Sequence, residues 1–395
     1  MRILTLNANL KGVGTYQRCF YFSRELARAG HQVTMATVSR VSKYRSHTYY
    51  KCDWVGEHVQ PGGNGGPWVR MIEGPNLGYK WLPGWGSGPL DILLRTRELA
   101  GATYDIVYGF EYQPNVSWPV YLTKRFHEYA YFSDWCDWHS GQSSTLRGLH
   151  LAHRVDRFFE ERIRFSARKV TVISATLRDR AISIGVPSDR VEWVKQGIDT
   201  DYVGAYPQSE MRARFGILSD VPVLAASCDG DMLDYIRILQ RVVRRAPEAL
   251  LIVIGTVPKN ARRLAEELGL SRSLRWTGWL SDEDYPRYLA CADLCVIPLA
   301  NTLLNRARFP GKILDYLAAG RAVVTNDIGE VGPIFRQNEV GRLLPHDEEE
   351  FAAGIVKLLR DPDLCRDLGA RARQLAVQQW DWRMRGSQIA GIVES

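Results

Sequence analysis

Residues 2–37 read RILTLNANLKGVGTYQRCFYFSRELARAGHQVTMAT and contain one strand, one loop, one helix and a second strand. The apolar, β-prone segment RILTLNA predicts the first strand, and KGVGT breaks it before the helical segment YQRCFYFSRELARAG. Gly30 suits the left-handed cap that ends such a helix, and HQVTMAT then predicts the next strand. This order of elements is how a doubly wound α/β domain begins.

The remaining sequence predicts a second domain of the same kind. The chain has 395 residues, whereas one domain typically has roughly 100 to 200. Short apolar runs from VPVLAAS to RAVVTND alternate with helical segments and predict a second parallel sheet. We expect an N-terminal domain over residues 1–205, a C-terminal domain over 206–378, and a final helix over 379–395 that packs back on the N-terminal domain.

Between these units the pattern changes. ILLRTRELAG and RVDRFFEERIRFSARK predict helices, and YDIVYGF, EYAYFSD and KVTVIS predict strands. Residues 41–89 are instead rich in Gly, Pro, Trp and Tyr and show weak periodicity. We interpret them as long surface excursions that carry Trp54, Trp68, Trp81 and Trp85.

The composition excludes several classes of protein. With 45% hydrophobic and 24% charged residues, the chain is typical of a folded, soluble protein. No apolar run approaches the roughly 20 residues of a membrane span, and residue 1 leads directly into a strand, so cytoplasmic residence is expected. The seven cysteines include no CxxC pair, which argues against a disulfide framework or a zinc site. Cys291 and Cys295 lie in an apolar stretch and are interpreted as small buried groups.

The positive charge is concentrated in the first half of the chain. Residues 1–218 hold 28 Lys and Arg against 20 Asp and Glu. The segment 145–169 contributes seven of these cations, Arg147, Arg154, Arg157, Arg162, Arg164, Arg168 and Lys169. Together with the Trp-rich and Tyr-rich stretch, this helix could form a basic and aromatic face that binds an anionic membrane, which would place the protein peripherally on the inner face of that membrane. The alternative is an ordinary solvated helix surface.

Four segments carry a family resemblance, in this order: KGVGTYQRCFYFSRELARAGHQVTM, ARKVTVISATLRDRAISIGVPSDRVEWVKQGIDTDYV, LRWTGWLSDEDYPRYLACADLCVIPL and RFPGKILDYLAAGRAVVTND. They resemble the family 4 retaining glycosyltransferases over nearly the whole chain. The resemblance implies the α/β GT-B fold, with two Rossmann-like domains facing each other across a cleft. It also implies an acceptor bound by the N-terminal domain, a nucleotide-sugar donor bound by the C-terminal one, and a donor phosphate that takes the acceptor proton.

The sequence departs from the family pattern at three places. Gln196 replaces the usual Asn of the linker motif, and Ala307 stands where the family has the first of two glutamates, the second of which corresponds to Asp315. Where the family has an Arg and a Lys for the pyrophosphate, this chain reads SCDGDMLDYI, with Asp229 and Asp231. The pyrophosphate must therefore be held by other groups.

The segment RARFPGKILDY is predicted to bind the donor. Arg306, Arg308 and Lys312 can supply cations, with Arg308 and Lys312 acting on the leaving diphosphate, while helix amides beginning near Pro310 and Gly311 can donate to phosphate. Asp315 can accept hydrogen bonds from ribose hydroxyls. The alternative is that the arginines are solvated surface charges and that Asp315 merely favours the helix N-terminus.

Other donor contacts are expected at strand ends. The loop residues Gly12, Gly14 and Thr15 lie between a strand and a helix, where small residues let a phosphate approach the main chain. Gly255, Thr256, Trp279 and Leu280 follow predicted strands of the second sheet and would face a nucleobase. The alternative for the glycine loop is an ordinary tight turn, and the alternative for the residues of the second sheet is packing in the core.

The segment FSDWCDWHSG is predicted to contact the acceptor. Asp134, Asp137 and His139 lie at the end of a predicted strand and could orient or deprotonate a hydroxyl. Glu111, Trp135 and Trp138 are placed with them as acceptor-binding residues; Glu111 ends the neighbouring strand. The alternative is that Asp134 caps the following segment and the tryptophans pack.

The combined prediction is retaining transfer of a hexose from a nucleotide sugar, with a UDP-sugar favoured, to an acceptor glycan, lipid or small molecule. No cofactor or metal is expected, because no DxD-like pair follows a strand of the donor domain. One alternative is a nucleotide-sugar 2-epimerase. Another is a noncatalytic binder of glycan or nucleic acid, although no nucleic-acid module is found and no nucleic-acid partner is expected.

Overall fold

The computed structural model describes residues 1–40, 48–52, 68–76, 88–141, 150–228, 230 and 232–395. The chain divides into two compact units: Met1–Gln196 with Trp382–Ser395, called unit 1, and Gly197–Asp381, called unit 2. Several residues singled out in the sequence lie outside the described ranges: Trp54, Trp81, Trp85, Arg147, Asp229 and Asp231.

Strands and helices alternate along both units. Unit 1 begins with β1 (Arg2–Leu10), α1 (Tyr16–Arg28), β2 (Gln32–Val38), β3 (Thr48–Cys52), β4 (Val69–Gly74), α2 (Pro89–Gly101), β5 (Ile106–Phe110), α3 (Pro114–Thr123), β6 (Ala130–Trp135), α4 (His150–Phe165), β7 (Lys169–Val172), α5 (Ala175–Ser183) and β8 (Val191–Trp193). Unit 2 contains α6 (Gln208–Arg214), β9 (Val223–Ser227), α7 (Leu233–Val243), β10 (Leu250–Ile254), α8 (Lys259–Glu267), β11 (Leu274–Gly278), α9 (Asp284–Ala290), β12 (Leu294–Ile297), α10 (Leu303–Ala307), α11 (Lys312–Ala318), β13 (Ala322–Thr325), α12 (Val331–Asn338), β14 (Gly341–Leu343), α13 (Glu348–Leu359) and α14 (Pro362–Leu375). The last helix, α15 (Gly386–Glu394), belongs to unit 1.

The sheet of unit 1 has eight strands in the order β3-β4-β2-β1-β5-β6-β7-β8. Strand β3 is antiparallel to β4, and the other neighbouring pairs are parallel. The carboxyl ends of the parallel strands therefore meet at one edge, where open α/β sheets bind ligands. Phe110 at the end of β5 pairs with Asp134 of β6 at this edge.

An aromatic core joins α1 to the C-terminal segment in unit 1. The ring of Trp382 stacks on Tyr21, with centroids 5.4 Å apart, and meets Phe22 nearly edge-on at 5.9 Å. Ile389 and Val393 of α15 are buried in the same apolar cluster. The end of the chain is therefore part of the unit 1 core.

The sheet of unit 2 has six parallel strands in the order β11-β10-β9-β12-β13-β14. Its strands are apolar and largely buried, as expected for a parallel sheet covered on both faces. Cys291 and Cys295 are fully buried, which confirms their interpretation as small apolar groups.

Several elements were not predicted, among them β3, β4, α3 and β14. Strands β3 and β4 lie within residues 41–89, so the interpretation of that stretch as surface excursions was wrong for these two segments. Helix α3 begins with Pro114, whose fixed backbone favours the first helical turn, but Pro119 obscures its pattern. Among the described residues, no helix has the length and apolar character needed to cross a bilayer.

Candidate functional site

Polar side chains from three elements meet at the carboxyl edge of the second sheet. This unit 2 cluster consists of Ser227 at the end of β9, Tyr285 in α9, and Lys312 and Asp315 in the first turn of α11. The hydroxyl of Tyr285 donates to Oδ2 of Asp315 at 2.7 Å and lies 3.1 Å from the hydroxyl of Ser227. Tyr285 therefore bridges the sheet and the helix.

The charge of Asp315 is stabilised within this cluster. Nζ of Lys312 lies 3.5 Å from Oδ2 of Asp315 and 5.0 Å from the centre of the Tyr285 ring. Burial, reinforced by the nearby carboxylate, raises the pKa of Tyr285 well above its ordinary value, so the phenol stays protonated and donates. Both contacts to Asp315 involve Oδ2, and Oδ1 has no hydrogen-bond partner among the described residues, while the residue as a whole is 6% exposed.

The other cations predicted to bind the donor lie in and after α10. Arg306 is exposed, and its Nε donates to Asn301 at 2.8 Å. Arg308 is half-buried and donates to Asn305 at 2.9 Å. Both keep additional guanidinium N–H groups that could bind phosphate.

The start of α11 offers fewer amides than the sequence indicates. The N–H of Ile313 already donates to the carbonyl of the buried Pro310, and that of Leu314 donates to Gly311. The amides that come before them, at Gly311 and Lys312, are the ones left for a phosphate. Lys312 thus combines a main-chain donor with a side-chain cation at one position.

Gly255, Thr256, Trp279 and Leu280 lie at the same sheet edge. Gly255 follows β10 with φ of +115°, and its N–H donates to the carbonyl of Gly278 at 2.9 Å. Trp279 comes directly after β11 and is 57% exposed, while Leu280 is half-buried. The exposed indole could provide a flat wall for a base, and this role of Trp279 stays a prediction.

The backbone conformation of the glycine loop in unit 1 explains why both Gly12 and Gly14 are glycine. Gly12 and Gly14 have φ of +75° and +59°, a region that favours glycine. A Cβ atom on Gly14 would lie 2.7 Å from the side-chain amide of Asn9. The hydroxyl of the buried Thr15 bonds to Asn9 at 2.8 Å and to Asn7 at 3.1 Å. The side chain of Thr15 thus stabilises the loop, and the prediction that this loop binds phosphate rests on its main chain.

Asp134 is held from several sides. Both of its oxygens accept hydrogen bonds from Arg18, at 2.9 Å and 3.0 Å. Thr171 donates to Oδ1 at 2.6 Å, and the Cys136 thiol donates to Oδ2 at 2.8 Å. Asp134 is fully buried, and Arg18 is only 2% exposed. This geometry favours a positioning role for Asp134 over the predicted catalytic role.

A second group of charged residues lies beside Asp134. This unit 1 cluster consists of Glu111, Asp137, His139, Glu160 and Arg164. Glu160 of α4 accepts the main-chain N–H groups of His139 at 3.2 Å and of Ser140 at 2.8 Å. Arg164, one turn later on α4, is fully buried and lies 3.7 Å from Oε2 of Glu111. Helix α4 therefore positions the loop that follows β6.

Glu111 is the most unusual residue of the unit 1 cluster. It has φ of +70°, which is rare for a residue with a side chain and costs backbone energy, a feature that concentrates at functional sites. Its Oε1 accepts N–H bonds from Cys136 at 2.8 Å and Asp137 at 3.1 Å. Its Oε2 is buried without a hydrogen-bond partner among the described residues, 3.9 Å from Nε2 of His139. In this conformation the oxygen is buried, so a ligand hydroxyl could satisfy it only after a rearrangement of the loop that follows β6.

Burial raises the pKa of Glu111 to about 7, with Asp137 adding to the effect and His139 and Arg164 opposing it. The carboxyl group therefore changes its charge in the neutral range. The ionised carboxylate accepts a hydrogen bond from a hydroxyl group more strongly than the neutral carboxylic acid does.

The same residues come near enough to hold a metal ion. Single ligand atoms of Glu111, Asp137 and His139 lie within 4.8 Å of one another. The guanidinium of Arg164, however, lies next to Glu111 and would repel a cation. A neutral hydroxyl ligand fits this charge pattern better, and the absence of a metal requirement stays a prediction.

The two tryptophans predicted to bind the acceptor have different surroundings. Trp135 is fully buried, and its indole N–H donates to the carbonyl of Asp137 and to Glu160, both at 3.0 Å. It therefore supports the loop and cannot touch a ligand in this conformation. Trp138 is half-buried beneath the guanidinium of Arg180, 4.9 Å from the ring centre.

Sequence reasoning missed several residues that form or border the two clusters. Arg18, Glu160 and Arg164 lie on helices whose charges were interpreted as surface charges or not singled out. Tyr285 follows no strand directly and lies in no motif that carries chemistry by itself. A signal was present for Arg164, because the apolar Ile163 lies beside it on α4 and is buried.

Two Rossmann-like units with polar clusters at their carboxyl edges define the class of two-domain, nucleotide-binding α/β proteins. Residues 12–197 match the family model described as "Glycosyl transferase 4-like domain", and residues 231–361 match "Glycosyl transferases group 1". The chain belongs to the family 4 glycosyltransferases. This finding confirms the resemblance on which the sequence interpretation was based.

Individual relatives agree with the family. The chain is 30% identical over 246 residues to a GDP-mannose-dependent alpha-(1-6)-phosphatidylinositol monomannoside mannosyltransferase of Mycolicibacterium smegmatis, covering 59% of this chain and 63% of that protein. It is 30% identical over 163 residues to a phosphatidyl-myo-inositol mannosyltransferase of Mycobacterium tuberculosis, covering 40% of this chain and 41% of that protein. The similarity thus spans less than two thirds of either relative.

The fold is shared over the full length. A sucrose-phosphate synthase from Thermosynechococcus elongatus superposes with a TM-score of 0.77 at 18% identity, covering 100% of this chain and 98% of that one. At this level of identity the similarity concerns the fold alone, and it confirms the predicted GT-B class.

Proposed function

We propose that the protein transfers a mannosyl group from GDP-mannose to a hydroxyl group of an inositol-containing phospholipid. The observation that carries the proposal is the unit 2 cluster, in which Tyr285 fixes Asp315 beside Lys312 through Oδ2 and leaves Oδ1 without a hydrogen bond from the described residues. The donor and the class of acceptor are taken from the GDP-mannose-dependent alpha-(1-6)-phosphatidylinositol monomannoside mannosyltransferase of Mycolicibacterium smegmatis. The proposal therefore replaces the UDP-sugar expected from the sequence.

Each cluster has a separate role in this proposal. Asp315 accepts the ribose hydroxyls, and Lys312 stabilises the negative charge that develops on the leaving diphosphate. Once the loop after β6 has moved, Oε2 of Glu111 in unit 1 accepts a hydrogen bond from a hydroxyl of the inositol or mannose ring. Transfer with retention of configuration follows the family resemblance and would be read from the anomeric configuration of the product by NMR.

Thermal shift with a panel of nucleotides tests the donor. GDP and GDP-mannose are expected to raise the melting temperature, because a ligand bound only to the folded state stabilises it by about 2.7 kcal/mol at 100 times its Kd. UDP, UDP-glucose, dTDP-glucose and ADP-glucose are the controls. A shift with UDP-glucose and none with GDP-mannose would contradict the choice of donor.

Product analysis tests the reaction. Radiolabelled GDP-mannose is expected to transfer label to vesicles that contain phosphatidylinositol and not to vesicles of phosphatidylcholine alone. Incubation without acceptor should leave the sugar nucleotide unchanged. A new sugar nucleotide in that incubation would instead indicate the epimerase.

Glu111→Gln is expected to change the pH dependence of transfer. Since the pKa of Glu111 is raised to about 7, kcat/KM for the acceptor should increase as the pH rises through about 7 and the carboxylate forms. The amide has no such ionisation, so the variant should lose this limb of the profile and about tenfold in acceptor kcat/KM at pH 8. An unchanged profile would remove Glu111 from acceptor binding.

Stability gives an independent check on the same group. The folded pKa of Glu111 lies above its ordinary value of 4.5, so ionisation opposes folding. The free energy of unfolding should fall as the pH rises from about 4.5 to about 7 in the native protein, and this component should be missing in Glu111→Gln.

A further inference from the structure

The outer surfaces of α3 and α4 expose an unusual number of large apolar side chains. Phe126, directly after α3, is 81% exposed, Phe158 is 55% exposed and Leu122 is 54% exposed. We call the full set the aromatic face: Trp118, Tyr121, Leu122, Phe126, Phe158 and Phe165. Isolated exposed apolar residues need no explanation, but adjacent ones mark interaction sites.

The two halves of the aromatic face are continuous. Nε of Arg162 on α4 donates to the hydroxyl of Tyr121 on α3 at 3.5 Å. The rings of Trp118 and Phe159 have centroids 6.3 Å apart, and Lys124 donates to the carbonyl of Ser166. The helices therefore lie side by side.

Helical spacing places the exposed residues on one side of each helix. Residues 118, 121 and 122 share a face of α3, and residues 158, 162 and 165 share a face of α4, because side chains three and four apart are neighbours. The opposite face of α4 carries Glu160 and Arg164, which belong to the unit 1 cluster. Arg164 is buried, so the sequence prediction that it contributes to a basic surface was wrong.

Cations outnumber anions around the aromatic face. Lys124, Arg125, Arg154, Arg157 and Arg162 are exposed there. Among the acids described on the same segments, Glu128 is exposed, whereas Glu161 is half-buried and paired with Arg157 and Arg180. The surface is therefore both apolar and positively charged.

We propose that the aromatic face docks on a bilayer that contains anionic phospholipids. Aromatic and leucine side chains of an amphipathic surface bury in the boundary between headgroups and acyl chains, and surrounding Lys and Arg bind the lipid phosphates. A soluble partner with an apolar surface would leave the cationic rim unexplained. The inference goes beyond the proposed function and does not rest on its donor or acceptor.

Vesicle flotation of the purified full chain, without nucleotide, tests the docking surface. Vesicles of phosphatidylcholine with roughly 30 mol% anionic phosphatidylglycerol are expected to bind the native protein, because Lys and Arg are attracted to the negative surface potential. Vesicles of phosphatidylcholine alone should bind far less. The triple variant Leu122→Ser, Phe126→Ser, Phe158→Ser should bind about tenfold more weakly. Arg125→Gln and Arg162→Gln should each weaken binding about fivefold, and salt should reduce the remainder.

A matched control uses equally exposed residues elsewhere. Leu218, 71% exposed in unit 2, is changed to Ser, and the exposed Arg272 is changed to Gln. Both controls should bind like the native protein, and all variants should keep its melting temperature. Equal recovery of the native protein with both vesicle types, equal loss in the controls, or an unaffected triple variant would overturn the proposal. Self-association that the triple variant abolishes, without vesicle binding, would assign the face to a second copy of the chain.

Discussion

Asp315→Ala is expected to reduce kcat/KM for the donor by about a hundredfold or more. The variant loses the carboxylate that accepts the ribose hydroxyls, and two hydrogen bonds to a charged group are worth about 1.5–3 kcal/mol each. It also leaves Lys312 without the carboxylate that lies 3.5 Å away. Steady-state kinetics at low donor concentration and calorimetric titration with GDP measure the loss.

Tyr285→Phe is the matched control for this variant. It removes the hydroxyl that donates to Asp315 at 2.7 Å but keeps the ring and the carboxylate. We expect a loss of about tenfold, since Asp315 is then less firmly held but still able to bind ribose. If Asp315→Ala folds with the native melting temperature and keeps native donor kinetics, the assignment of the unit 2 cluster to the donor fails.

Asp134→Ala is expected to destabilise the protein by about 3–5 kcal/mol. The substitution leaves the guanidinium of Arg18 buried without its counter-ion, which is among the costliest single changes in a protein interior. It also removes the acceptor of the Thr171 hydroxyl. Urea denaturation followed by tryptophan fluorescence measures the change.

A double variant separates structure from catalysis. Arg18→Met with Asp134→Leu removes both charges, and it should be more stable than Asp134→Ala because no unpaired charge remains. The predicted catalytic role of Asp134 would instead require Asp134→Ala to keep native stability and lose turnover. That result would contradict the positioning role proposed from the contacts with Arg18 and Thr171.

Much of the fold was predictable because the strands of a parallel sheet have short, continuous apolar sequences. Segments such as RILTLNA and DLCVIPL need no long-range information, since both faces of the strand are buried. Strand β4 was missed because its pairing with β2 depends on tertiary contacts, and its sequence VRMIEG is short and only partly apolar. Helix α3 was missed because two prolines interrupt its composition.

The site was predictable only where its residues follow strands or lie in a motif. Glu111 and Asp315 could be named in this way, because the carboxyl ends of strands define the ligand edge. Tyr285 contacts Asp315, which lies 30 positions later, and Glu160 contacts Ser140, which lies 20 positions earlier. A local sequence pattern does not reveal contacts at such separations. Glu111 keeps one oxygen without a hydrogen bond, whereas both oxygens of Asp134 accept hydrogen bonds, and this difference also depends on contacts between distant residues.

The burial of Trp382 and α15 in unit 1 affects how the polypeptide matures on the ribosome. Synthesis proceeds from the N-terminus, so the first 196 residues emerge long before the aromatic ring and the helix that complete their apolar interior. During that interval the apolar residues of α1 that Trp382 and α15 cover in the folded protein are not yet covered by them. The apolar core of unit 1 is therefore completed only after unit 2 has been synthesised, although the sheet and most helices of unit 1 come first along the chain.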